Sequence, residues 1–175
     1  MHALAYSRNG ELAAAGNIDG VVLLYDMKTR QYRSRFASKS TLPIRAKHCF
    51  LIDHNLAVRA LAFDQSSTSL ISAGQDLHCF VSDVETQQRL QTLVGHADWI
   101  TDIAAHPINR DVFLTASLDH TVKVWSTRSH KQLNSLDLGS PVWGLAYSPC
   151  GDYFAVVTEN GTVSLINCKQ LTLSN

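Results

Sequence analysis

Apolar residues along this chain come in short alternating runs of four to seven residues, each closed by turn-forming residues. No stretch sustains a helical period, so the pattern predicts an all-β chain. The runs recur in a fixed order. Asp19-Gly20-Val21-Val22-Leu23-Leu24-Tyr25-Asp26 aligns without gaps with Asp76-Leu77-His78-Cys79-Phe80-Val81-Ser82-Asp83, with Asp119-His120-Thr121-Val122-Lys123-Val124-Trp125-Ser126 and with Asn160-Gly161-Thr162-Val163-Ser164-Leu165-Ile166-Asn167. The first position stands at 19, 76, 119 and 160, intervals of 57, 43 and 41 residues. Two of the three intervals match a unit of about 40–45 residues.

Each copy is preceded by two further apolar segments. Leu12–Gly16, Leu70–Gly74, Val112–Ser117 and Tyr153–Thr158 lie just upstream, and Met1–Tyr6, Val58–Phe63, Ile100–Ala105 and Val142–Tyr147 lie before those. A weaker alternating segment follows the first three copies, at Gln31–Phe36, Arg89–Leu93 and Gln132–Leu136. Four strands per unit follow. Arg8-Asn9-Gly10, Asp19-Gly20, Ser148-Pro149-Cys150-Gly151 and Asn160-Gly161 supply the turn chemistry between them, being residues that tolerate positive φ.

Gly95-His96, Asp119 and Trp125 together resemble the repeating unit of the WD-repeat β-propeller family. The resemblance implies a buried structural tetrad of His96, Thr115, Asp119 and Trp125 in the third unit. A partial set, His54, Ser72 and Asp76, stands in the second, with Ser82 where the family has Trp; the first unit keeps Asp19 with Tyr25 and the fourth only Asn160. A buried carboxylate must find donors, and an imidazole with a hydroxyl supplies them. The same residue types invite a hydrolase reading of His96, Thr115 and Asp119. Against it, the set recurs at the repeat period, whereas a catalytic triad occurs once and needs an oxyanion site.

Within the family, the phrases Ala57–Phe63, Gly95–Ile100 and Val142–Tyr147 resemble the WD-repeat subunit of the superkiller (Ski) complex, shared with the Paf transcription-elongation complex. That resemblance implies a scaffold for a helical-repeat subunit beside an RNA helicase complex in 3'-5' mRNA decay assisting the exosome, with cytoplasmic and nuclear localisation. The family usually has seven blades, so four units imply an incomplete, C-terminal part of a seven-bladed propeller. The single domain, 1–175, divides into blades at about 1–36, 54–93, 96–136 and 139–173, with Leu171-Thr172-Leu173 as the candidate outer strand of the last. An arc of four leaves two blade faces uncovered, and dimerisation, or the missing blades, is expected to cover them.

The family's docking platform, carried over by counting along the repeat, gives partner-binding positions on the top face at Arg59, Gln75, Trp99, Thr101, Leu118, Trp143 and Glu159, with His2, Ile18, Ala57 and Pro141 alongside. Trp and Arg are enriched where binding energy concentrates. The alternative for each Trp is packing between blades.

Composition narrows the rest. At 175 residues and 45% hydrophobic content, one well-buried domain is affordable. Fifteen basic and fifteen acidic residues remove any global attraction to nucleic acid. Locally the balance changes. The long first interval holds an insertion at 37–53, and from Lys28 to Lys47 there are seven basic residues and no acid. This segment, 28–47, is either a direct RNA contact of an accessory protein or a solvated loop. No apolar run approaches the length of a membrane span and the first residues lack a secretory pattern, so a soluble, intracellular chain without membrane contact is expected. Cys49, Cys79, Cys150 and Cys168 are expected as reduced thiols. Neither zinc-ligand spacing nor a phosphate-binding glycine loop occurs. We therefore expect no enzyme activity, no metal site and no cofactor.

Overall fold

A computed structural model describes residues 3–36, 49–50 and 54–171. The first sheet is built from β1 (Ala3–Tyr6), β2 (Leu12–Gly16), β3 (Val22–Asp26), β4 (Gln31–Phe36) and β5 (Cys49–Phe50). The second comprises β6 (Val58–Phe63), β7 (Ser69–Gly74), β8 (His78–Asp83) and β9 (Arg89–Val94), and the third β10 (Ile100–Ala105), β11 (Val112–Ser117), β12 (Thr121–Ser126) and β13 (Lys131–Asp137). The last has three strands, β14 (Val142–Tyr147), β15 (Tyr153–Thr158) and β16 (Val163–Asn167), followed by the one-turn helix α1 (Cys168–Leu171).

The first four strands of the first three sheets, and the three strands of the last, each form an antiparallel meander in sequence order. The inner strands β1, β6, β10 and β14 touch in that order, and among the described residues no comparable contact joins β14 back to β1. The architecture is that of a partial β-propeller, an open arc of four blades.

Two expectations need correction. Leu171 lies in α1 rather than in an outer strand, and residues 172–173 fall outside the described ones. Cys49–Phe50, inside the segment read as an insertion, form a short parallel strand against Arg35–Phe36. Two residues carry no detectable alternation, so nothing in the pattern could have announced it.

The repeat is written in the backbone more sharply than in the side chains. Residues following the turn Asp or Asn all have positive φ: Gly20 at 79°, Leu77 at 66°, His120 at 72° and Gly161 at 79°. The turn between first and second strands repeats the device at Gly10, Ser67 and Gly151, and the turn between third and fourth at Arg30, Gln87 and His130. Glycine accepts this conformation freely and other residues do so at a penalty, so the sequence shows only part of the pattern.

Because side chains alternate along a strand, every sheet has two faces, and the core lies between sheets. Ala14, Val22 and Leu24 of the first sheet pack on Leu61, Phe63, Leu70 and Phe80 of the second. Ile71, Ala73, Cys79 and Val81 from the other face of the second meet Ile103, Phe113 and Trp125 of the third. Leu114, Ala116, Val122 and Val124 then meet Leu145, Phe154 and Val156 of the last. No helix among the described residues is long and apolar enough to cross a membrane.

Candidate functional site

The His, hydroxyl and Asp residues come together beneath the turns, as buried networks. In the third sheet His96 Nδ1 lies 2.8 Å from Asp119 Oδ2, His96 Nε2 lies 2.6 Å from Thr115 Oγ1, and Trp125 Nε1 donates to Thr115 Oγ1 at 2.8 Å. One proton arrangement satisfies the chain. The indole N–H donates to the Thr115 hydroxyl, that hydroxyl donates to Nε2 of a neutral imidazole, and the Nδ1–H donates to the carboxylate. Burial lowers the His96 pKa, in keeping with that neutral ring. For Asp119 burial acts in the opposite direction to its donors, but hydrogen bonds from Thr121, Ala97 and His96 prevail and hold the carboxyl at about 2. Ala97 N and Thr121 N anchor the carboxylate at 2.9 and 3.0 Å.

The second sheet repeats the network without its last member. His54 Nδ1 is 2.9 Å from Asp76 Oδ2, and Nε2 is 2.9 Å from Ser72 Oγ. Ser82 occupies the tryptophan position with a buried hydroxyl that has no hydrogen-bond partner among the described residues, while Phe80 packs with its ring centroid 4.5 Å from that of His54 and has the Arg89 guanidinium over its ring at 5.0 Å. In the first sheet Asp19 is exposed and accepts from Asn17 Nδ2 at 3.2 Å, because Ala15 stands at the position of the hydroxyl. The last sheet abandons the polar set: Val156 and Ile166 replace Thr115 and Trp125 and join the apolar core, and Asn160 accepts hydrogen bonds from Thr158 and Thr162 within its own turn.

Thr115 and Ser72 are fully buried, with their hydroxyls occupied by the network. No substrate reaches them, which disposes of the hydrolase reading.

Exposed chemistry lies at the rim above these networks. Two backbone devices build it. Gln75 N, Leu118 N and Glu159 N donate to the carbonyls of Ala57, Trp99 and Pro141 at 3.1, 3.0 and 2.8 Å, tying the end of each second strand to the start of the first. In β6, β10 and β14 the register then slips by one residue between Val58 and Ala60, Ile100 and Asp102, and Val142 and Gly144. The extra residue is Arg59, Thr101 or Trp143. A β-bulge leaves its extra residue unpaired and re-aims it, so these three positions are turned out of the ladder by the same means.

Arg59 and Trp99 lie together across the junction between the second and third sheets, with the guanidinium 5.7 Å from the indole centroid. Trp99 is 40% exposed and Trp143 45% exposed, so neither is absorbed between blades. Glu159 is exposed; Gln75 and Leu118 are half-buried. Thr101 is committed elsewhere, since its Oγ1 donates to Val142 O at 2.7 Å and braces the next blade. Of the neighbouring positions Ile18 is exposed, Pro141 is half-buried and Ala57 is buried, while His2 lies outside the described residues.

Two residues that sequence reasoning passed over shape this region. Asp98 Oδ1 accepts from Trp99 N at 2.6 Å and its carbonyl accepts from Ser117 Oγ at 2.9 Å, which sets the strand start that presents the indole. Asp102 reaches across to the last sheet and accepts Leu145 N at 2.7 Å; burial raises its carboxyl despite that bond and one from Ile103. A carboxylate within an alternating strand gives no hint of a cross-blade partner. Among the described residues, no group of three His, Cys, Asp or Glu side chains is placed to hold a metal ion.

Comparison with known proteins gives three matches to one family, the WD domain with its G-beta repeat, at residues 46–83, 87–126 and 130–167, together more than half of the chain. Most of the first sheet falls outside the matches, as its missing polar set anticipates. The chain is 28% identical over 146 residues, 83% of its length, to the U3 small nucleolar RNA-associated protein 15 homolog of Xenopus laevis, of which this covers 25%. It is 26% identical to Protein HIR1 of Gibberella zeae over an alignment that covers 95% of its length and 18% of that protein. Protein HIR1 of Candida albicans is 24% identical over an alignment that covers 94% of this chain and 22% of the relative. The chain thus spans a quarter or less of the length of these relatives.

Proposed function

The chain belongs to the WD40 family, and on that premise we propose that it is a non-catalytic scaffold that docks other protein subunits on the rim marked by Arg59, Trp99 and Trp143. The observation that carries this reading is the repeated bulge, which turns Arg59 and Trp143 outward from equivalent positions two blades apart. Arg59 is half-buried beside the exposed Trp99, and large aromatics and arginine presented by a rigid sheet are the groups that concentrate binding energy at protein interfaces. The sealed hydroxyls of Ser72 and Thr115 support the non-catalytic half of the reading.

The finer assignment is a Ski-type assembly of mRNA decay, shared with Paf-type elongation, in which the rim would hold a helical-repeat subunit beside an RNA helicase complex. Its support is the three sequence phrases alone. The name of the Xenopus relative, a small nucleolar RNA-associated protein, supports placement in the nucleus, and neither it nor the HIR1 name lends support to the Ski complex or to a cytoplasmic pool. The alternative of direct RNA binding through residues 28–47 rests on composition. Lys28 is ion-paired with Glu11, and residues 37–48 lie outside the described ones.

Affinity purification of the tagged chain, with Trp143→Ala in parallel, tests the rim. Loss of co-purifying subunits by about tenfold or more is expected for an exposed anchor of this kind, with the thermal melt unchanged. Full recovery of the same subunits by the folded variant refutes the assignment of Trp143.

A further inference from the structure

One guanidinium on the rim is held in place without a counter-charge. Arg59 is the extra residue of the bulge in β6, half-buried, with its Cζ 5.7 Å from the centroid of the Trp99 ring across the junction between the second and third sheets. An aromatic ring at that distance takes one side of a guanidinium and leaves its edge, a rigid fork of N–H donors, to other groups. Among the described residues no carboxylate lies within ion-pair distance of that fork and no acceptor takes a hydrogen bond from it. The two acidic residues beside Trp99 are engaged elsewhere. Asp98 accepts from Trp99 N at 2.6 Å, and Asp102 accepts from Ile103 N at 2.8 Å and from Leu145 N at 2.7 Å. Gln75 and Leu118, whose backbone N–H groups are tied to the starts of the same two inner strands, are uncharged.

We infer that the protein docked on this rim delivers a side-chain carboxylate, from Asp or Glu, to the Arg59 guanidinium, with an apolar neighbour of that residue laid against the exposed indole of Trp99; the inference rests on the docking reading of the rim and adds the partner's chemistry to it. A cation already stripped of part of its water and fixed by stacking loses little further freedom when an anion arrives. A carboxylate therefore gains two parallel charge-assisted hydrogen bonds at small entropic cost. A basic or purely apolar segment gains none of this, because like charge is repelled at Arg59 and an apolar group laid over it strands a charge. Both side chains sit at an internal junction, with a further sheet packed on either side of the pair that carries them.

Displayed random peptides selected on the immobilised chain supply the probes, and C-terminally amidated synthetic copies are titrated by fluorescence anisotropy. Binders of the wild-type chain are expected to carry Asp or Glu at one fixed position next to an apolar residue, and changing that acid to its amide should weaken binding by about tenfold. The same exchange should make no difference on Arg59→Gln, and selection on Arg59→Glu should replace the acid by Lys or Arg. Arg59→Gln, whose thermal melt should match that of the wild type, carries the test alone if Arg59→Glu fails to fold. Added salt should weaken the acidic peptide and leave its amide copy nearly unchanged. Rim binders, lost on Trp99→Ala or Trp143→Ala, that show no acidic preference, or an acidic preference that persists on Arg59→Gln, overturn this inference and leave the docking reading standing. Failure to select any binder sensitive to those two tryptophans overturns both.

Discussion

Replacing Thr115 by valine isolates the contribution of the third sheet's network, because the swap keeps the volume and branching of a fully buried side chain and removes only its hydroxyl. Two groups lose their partner at once, the Trp125 indole N–H at 2.8 Å and His96 Nε2 at 2.6 Å. A buried polar group left unsatisfied costs about 1–3 kcal/mol, so two at roughly 1.5 each give a loss near 3 kcal/mol. For a chain of this length each kcal/mol moves the melting midpoint by about 2–4 °C, and a drop of about 6–12 °C is expected. Ser72→Ala is the internal comparison. The second sheet has no tryptophan donor, so only His54 Nε2 is orphaned, and the loss should be about half, near 1.5 kcal/mol. Adding Trp125→Phe to Thr115→Val removes the stranded indole donor, and a double-mutant cycle should then return a coupling of about 1 kcal/mol. Chemical denaturation with calorimetry measures all four variants. A Thr115→Val loss below about 0.5 kcal/mol, or one no larger than that of Ser72→Ala, refutes the proton arrangement derived for the network.

Three other outcomes follow from the same geometry. Stability should fall on acidification in two stages. The folded pKa of His96 lies below 6.5, so the unfolded chain takes up that proton first and stability declines as pH drops below about 6.5; Asp119 adds a second loss between 3.8 and about 2. Asp102, raised by burial, works with the opposite sign, and urea midpoints that stay level from pH 7.5 to 4.5 would contradict the neutral buried imidazole. Leu77→Gly relieves a left-handed residue at φ 66° and should stabilise by about 0.5 kcal/mol after the added freedom of the unfolded chain is subtracted, as a small rise in melting midpoint. Gly20→Ala, at the equivalent turn, should destabilise by more than about 1 kcal/mol, since its φ is 79° and the new Cβ would collide with the His54 carbonyl; a neutral result at Gly20 would mean that the turns are not equivalent.

The third unit was legible because each of its four polar members is present and only one arrangement buries them all satisfied. The second was legible through His54, Ser72 and Asp76, but the unpartnered hydroxyl of Ser82 was not, since a sequence does not say that Phe80 packs on the His54 ring with Arg89 over it. Turn positions were readable where glycine marks them, at Gly20 and Gly161, and hidden where Arg30, Gln87 and His130 adopt the same φ without a residue type that advertises it. Counting along the repeat found Arg59, Trp99 and Trp143 at the rim, yet the bulges that turn two of them outward leave no trace in the alternation. Thr101 occupies the same bulge and is spent on Val142 O, a use that depends on a neighbour 41 residues away.

The extra residue in the inner strands β6, β10 and β14 has an implication for how this surface can change. In these three blades Arg59, Thr101 and Trp143 occupy the position that the bulge takes out of the hydrogen-bonded ladder. Thr101 is spent on bracing the next blade, whereas at Arg59 and Trp143 folding places less demand on what stands there, and substitutions can alter recognition while the scaffold beneath stays the same. Specificity on this molecule can drift one blade at a time.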